Sequence, residues 1–250
     1  MARSIPNAQR IITALDVEGR EPALALIRKL HKARVFKVGL ELFTAEGPAL
    51  VRDIRAMGKD VFLDLKMHDI PNTVGEAVRM GVRLGAYMMT VHTSGGPEMM
   101  ARAAETARDE AEKRGTVQPI LLGVTILTSL KNDDLGKIGM AADTAGQVRR
   151  LAGLARGAGL DGIVCSAQEI EIVRTEVGPE MLIVTPGIRP AGTDVQDQKR
   201  VMTPALAVAK GSDYLVIGRP ITQAADPIKA LESVASEIAA ACRTLSATGR

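Results

Sequence analysis

Short apolar runs alternate with longer stretches of helical period from one end of the chain to the other. Eight of the short runs read as strands, at 11–16, 35–39, 60–66, 87–92, 119–125, 161–165, 181–185 and 213–217. Between them, apolar residues recur at helical spacing over 20–33, 46–57, 72–84, 97–113, 144–158, 167–176, 204–210 and 226–243. Eight βα units in 250 residues fit an α/β fold, a single (β/α)8 TIM barrel, with a doubly wound open sheet as the alternative. No linker, composition shift or sequence repeat divides the chain. One domain over 1–250 is therefore expected, with flexible ends at 1–9 and 245–250.

Parallel strands covered by helices should be almost continuously apolar, and several of these are not. Strand alternation places Asp16 on the face of Ile12 and Ala14, and Lys37 on the face of Val35 and Gly39. It also sets Phe62, Asp64 and Lys66 side by side, with Asp69 just beyond, where Pro71 closes a loop. An isolated Asp-x-Lys is more often a structural pair, because buried charges are normally partnered. Four charges converging on the C-terminal mouth of a barrel read instead as catalytic, with a purely structural ion-pair network as the competing explanation.

A different chemistry follows in the second half. The seventh strand runs into Pro186-Gly187-Ile188-Arg189, and about fifteen residues rich in Gly, Pro, Asp and Gln come next, a length at which loops are usually functional or disordered. The eighth strand ends in Ile217-Gly218-Arg219-Pro220. A glycine there lets backbone approach a ligand, and an arginine can fork onto phosphate oxygens. Loops after strands seven and eight are the usual phosphate site of such barrels.

Composition narrows the partners. A net charge of +3 with no basic run suits a small anionic ligand better than a polyanion. Aromatics make up 2% of the chain, which leaves few platforms for stacking bases and argues against nucleic acid. Two cysteines, no signal-like N-terminus and no apolar run of spanning length lead us to expect a cytoplasmic protein with no membrane partner. His31, His68 and His92 lack paired-ligand spacing, so no metal is expected. Gly157-Ala158-Gly159-Leu160-Asp161-Gly162 matches a dinucleotide-binding pattern, yet it ends a helix and enters a strand, the reverse of what that motif needs. It reads as a helix cap and turn.

The run Asp64-Leu65-Lys66-Met67-His68-Asp69-Ile70-Pro71-Asn72-Thr73 resembles the signature of the orotidine 5′-phosphate decarboxylase family. Ala14-Leu15-Asp16, Phe36-Lys37-Val38-Gly39, Thr185-Pro186-Gly187-Ile188-Arg189, Asp197-Gln198 and Val216-Ile217-Gly218-Arg219 match it too, in order. The resemblance implies cofactor-free decarboxylation of orotidine 5′-phosphate to UMP by a homodimeric barrel. Lys66 would protonate C6 and Asp64 would face the departing carboxylate, while Lys37 and Asp69 would complete an alternating array. Asp69, Ile70 and Thr73 would reach into the partner's site. Asp16 and Lys37 would hold ribose hydroxyls, and Thr128, or Ser129 beside it, would contact the base. Pro186 would line the site, and Gln198, Gly218 and Arg219 would grip the phosphate with Arg189 nearby.

Two rivals stand beside this reading. A sugar-phosphate decarboxylase or aldolase of the same superfamily would hold an enediolate on magnesium and would need carboxylates where Lys37 stands. A catalytically silent nucleotide-binding barrel would keep the phosphate site without the intact charged array.

Overall fold

The computed structural model describes residues 5–190 and 202–247. Eight parallel strands close into a barrel in sequence order: β1 (Ile11–Ala14), β2 (Val35–Gly39), β3 (Asp60–Met67), β4 (Met88–His92), β5 (Ile120–Val124), β6 (Gly162–Val164), β7 (Leu182–Pro186) and β8 (Tyr214–Ile217). β8 returns to pair with β1, so among the described strands no edge is left unpaired. The open-sheet alternative is thereby excluded.

Period-two alternation sorts each strand into an inner and an outer set. Ile12, Val35, Phe62, Met88, Leu122 and Val216 point inward and fill the barrel. Ile11, Phe36, Leu63, Met89, Ile163 and Leu215 point outward against the helices. Complete burial of one such side chain contributes about 1.5–3 kcal/mol. The inward face then changes character toward the mouth. Lys37 follows Val35 and pairs in register with Phe62, and Asp64 follows Phe62 and pairs with Gly39.

Among the described residues, ten α-helices lie between and after the strands: α1 (Arg20–Lys29), α2 (Leu40–Ala56), α3 (Pro71–Arg83), α4 (Gly96–Arg114), α5 (Asn132–Lys137), α6 (Thr144–Gly157), α7 (Ile170–Val177), α8 (Pro204–Ala209), α9 (Arg219–Thr222) and α10 (Pro227–Ala247). Local chemistry sets their ends. Pro71 opens α3 at a position where the missing N–H costs nothing, and Asp143 caps α6 by accepting from Gly146 N at 3.0 Å. Between α3 and α4, the buried Glu110 accepts from Arg83 at 2.8 Å and Arg79 at 3.1 Å, which fixes the two helices that follow the charged strand ends.

Several expectations need correction. The helix expected over 46–57 is preceded by a further helical segment from Leu40, and the two are separated by a kink at Gly47, whose φ of 62° precedes Pro48. α5 and α9 arise where no periodicity was visible, because helices of six and four residues are too short to show one. Near the start, Asn7–Arg10 forms a 3-10 turn, Ile5 packs against the inner barrel cluster, and Arg10 donates to the Asp213 carbonyl at 3.2 Å. At the other end, α10 continues to Ala247. The glycine-rich decoy does end α6, turn at Gly159 with φ 79°, and enter β6.

Candidate active site

Four charged side chains meet at the mouth above β1, β2 and β3. Lys37 Nζ stands 3.6 Å from Asp16 Oδ1 and 3.7 Å from Asp64 Oδ2, and Lys66 Nζ donates to Asp64 Oδ1 at 2.9 Å. The order is acid, base, acid, base. Asp64 and Lys37 are the buried members, with side chains 12% and 14% exposed, whereas Lys66 is 31% exposed and faces the opening. Together with Gly39 they line a cavity of about 170 Å³. A Cβ on Gly39 would stand 3.0 Å from Lys37 Nζ, so the ammonium would have to shift by a few tenths of an ångström.

Simple alternation does not produce this arrangement. β3 and β4 stay in register at Leu63 and Met89 and resume at Met67 and Val91, so Asp64, Leu65 and Lys66 all stand opposite the single residue Thr90. Such a bulge re-aims side chains at the end of a strand. Lys66 takes φ +50° within it, the one described non-glycine residue with positive φ, a conformation that costs free energy unless its surroundings impose it. Thr90 is completely buried. Its hydroxyl donates to Asp64 Oδ1 at 3.0 Å and accepts the Lys66 backbone N–H at 2.8 Å. Thr90 escapes sequence reasoning because a β-branched residue in a strand is unremarkable.

His68 and His92 also come together here, with ring centroids 5.4 Å apart. Burial, then the charges of His68 and Lys66, holds the His92 imidazole below its usual range. The only sequence signal for His92 is its place on the inward face of β4. Burial, followed by the charge of Glu169, pushes the Cys165 thiol far up, so it is protonated and unfit as a nucleophile.

Across the mouth, a second cavity of about 600 Å³ is lined by Thr128, Ser129, Pro186, Gly187 and Arg219. Both residues line it, so the choice between Thr128 and Ser129 stays open. Gly218 joins the two halves: a Cβ on it would stand 3.1 Å from Asp16 Oδ2. Arg189 is 5% exposed, with its Nε buried and without a hydrogen-bond partner among the described residues. Gln198 and most of the 187–200 loop lie outside the described residues.

Asp69, Ile70 and Thr73 are not gathered with the charged array. All three are exposed, and Asp69 Oδ1 accepts only the adjacent Ile70 N–H, at 2.7 Å, among the described hydrogen bonds. Ile70 is 67% exposed and lines a surface cleft with Glu98, Arg102 and Glu105 of α4.

Comparison with known proteins agrees with this geometry. The profile of the orotidine 5′-phosphate decarboxylase / HUMPS family matches residues 9–234. A Vibrio atlanticus protein named orotidine 5′-phosphate decarboxylase is 49% identical over 234 residues, covering 93% of this chain and all of that one. Its Vibrio cholerae counterpart of the same name is 50% identical over 233 residues, covering 93% and 99%. Among solved structures, orotidine 5′-phosphate decarboxylase from Lactobacillus acidophilus superposes with a TM-score of 0.82 at 38% identity, covering 91% of this chain and 98% of that one. An uncharacterized conserved protein from Geobacillus kaustophilus gives 0.81 at 37%, covering 91% and 99%. With its barrel closed and its charged array assembled at the mouth, the chain belongs to the orotidine 5′-phosphate decarboxylase / HUMPS family.

Proposed function

We propose that the protein decarboxylates orotidine 5′-phosphate to UMP and CO2, in pyrimidine biosynthesis, without a cofactor. Loss of CO2 from C6 leaves an sp2 carbanion whose electron pair cannot delocalise into the ring. Catalysis therefore requires positive charge fixed where that pair develops. The observation that carries the reading is the Lys66 ammonium, held by Asp64 at 2.9 Å and facing the opening. It stabilises the carbanion and then delivers its proton to C6. Asp64 holds Lys66 and faces the departing carboxylate, whose repulsion raises the energy of the bound substrate.

Asp16 and Lys37 take the ribose hydroxyls, with Thr128 or Ser129 at the base. Gly218 and Arg219 hold the phosphate, with Pro186 lining the site, Arg189 behind and Gln198 from the loop. Phosphate binding, remote from the reacting bond, helps to organise the site.

A second copy of the chain completes it. The exposed Asp69, Ile70 and Thr73 supply the partner's site, which makes the functional unit a homodimer with shared active sites. No described helix is long and apolar enough to cross a membrane, and a cytoplasmic location suits the reaction.

The magnesium-dependent alternative is disfavoured by Lys37, whose ammonium lies between Asp16 and Asp64, where a divalent cation would have to bridge them. The test is to mix purified protein with orotidine 5′-phosphate in EDTA and follow the ultraviolet change as the carboxylate leaves. Turnover supports the reading. No change with or without magnesium would point to the silent barrel, and turnover abolished by EDTA would restore the metal-dependent one.

A further inference from the structure

We infer that Thr90 is a positioning residue that fixes Asp64 and Lys66 together through one hydroxyl. The inference rests on the proposed role of Lys66 as proton donor and concerns how that lysine is held. A side chain on the β3 bulge can swing, and a lysine stem carries several rotatable bonds. Two constraints act on this one. Thr90 Oγ1 accepts the Lys66 backbone N–H at 2.8 Å, which holds the left-handed backbone turn from which the side chain projects. The same hydroxyl donates its proton to Asp64 Oδ1 at 3.0 Å, the oxygen that receives Lys66 Nζ at 2.9 Å.

Oδ1 thus carries both bonds, and Oδ2 is left toward Lys37 at 3.7 Å. Rotation of the Asp64 carboxylate would break this division between the two lysines. Thr90 itself is fully buried, so no water replaces a lost hydroxyl without a cavity to hold it. An aliphatic residue of the same shape would keep the packing and remove both bonds.

Thr90→Val and Thr90→Ser make that separation. For the valine variant we expect kcat for orotidine 5′-phosphate to fall by about 10- to 100-fold, with KM within about twofold of wild type. The serine variant, which keeps the hydroxyl, should recover kcat to within about threefold. A merely structural role would lower the melting temperature of both variants without this split. Unchanged kcat in the valine variant, an equal loss in the serine variant, or a loss confined to KM would each overturn the inference. Should the valine variant not fold, Thr90→Ala removes the same bonds and is compared with serine by the same ratio. Wild-type protein that fails to turn over the substrate would sink the functional reading itself; wild-type turnover with an indifferent Thr90→Val sinks only the role of Thr90.

Discussion

Asp16 lies so close beneath Gly218 that a Cβ on the glycine would stand 3.1 Å from its Oδ2. The turn that ends β8 and the acid that follows β1 therefore share one small space. Gly218→Ala should displace Asp16, the more exposed of the two, and leave the barrel closed. We expect kcat/KM to fall by about tenfold, from misplacement of a binding group, with the melting temperature little changed. Steady-state kinetics beside a thermal melt checks this.

Arg219, at the start of α9, lines the cavity shared with Thr128, Ser129 and Pro186. Charge-assisted hydrogen bonds to a phosphate are among the stronger polar contacts, and Arg219→Ala should lower kcat/KM by about 100-fold. Circular dichroism should show an unaltered fold. An unchanged kcat/KM would remove Arg219 from the phosphate site.

The proposed sharing of sites between subunits has a distinctive consequence. Lys66→Ala and Asp69→Ala should each be nearly inactive alone. Mixed and allowed to exchange subunits, half of the dimers carry one intact site of two, so activity should rise to about one quarter of wild type. A mixture that stays inactive although exchange is demonstrated by mass spectrometry would contradict the shared site.

His92 makes stability depend on pH. Its folded pKa lies below the ordinary value of 6.5, because of burial first and then the charges of His68 and Lys66, against which Asp64 acts in the opposite sense. The unfolded chain therefore takes up a proton that the folded chain resists. This contribution to stability is present above the unfolded value and is lost as pH falls through the folded one. His92→Asn should consequently lose less melting temperature than wild type between about pH 7.5 and pH 5. Parallel losses in the two proteins would remove His92 as the source.

What could be read in the sequence follows physical lines. Asp16, Lys37 and Asp64 were visible because charge in a doubly covered strand violates the apolar expectation. Lys66 was visible as a residue type, but its bulge and positive φ were not, since alternation alone would put it beside Asp64 without either. Thr90 carried no anomaly, being the kind of residue strands favour. The short helices α5 and α9 lacked the length that periodicity needs, while α4 and α6, several turns long, were placed to within a residue or two. Asp69, Ile70 and Thr73 look idle in one chain because their proposed partner is another copy.

The proposed chemistry rests on Lys66, and one comparison tests it most directly: UMP formation from orotidine 5′-phosphate by wild type and Lys66→Ala, with UMP binding measured on both by calorimetry. We expect the variant to bind UMP while its turnover falls by about a thousandfold or more, as loss of a general acid requires. A variant that binds UMP and still turns over within about tenfold of wild type would contradict Lys66 as the proton donor.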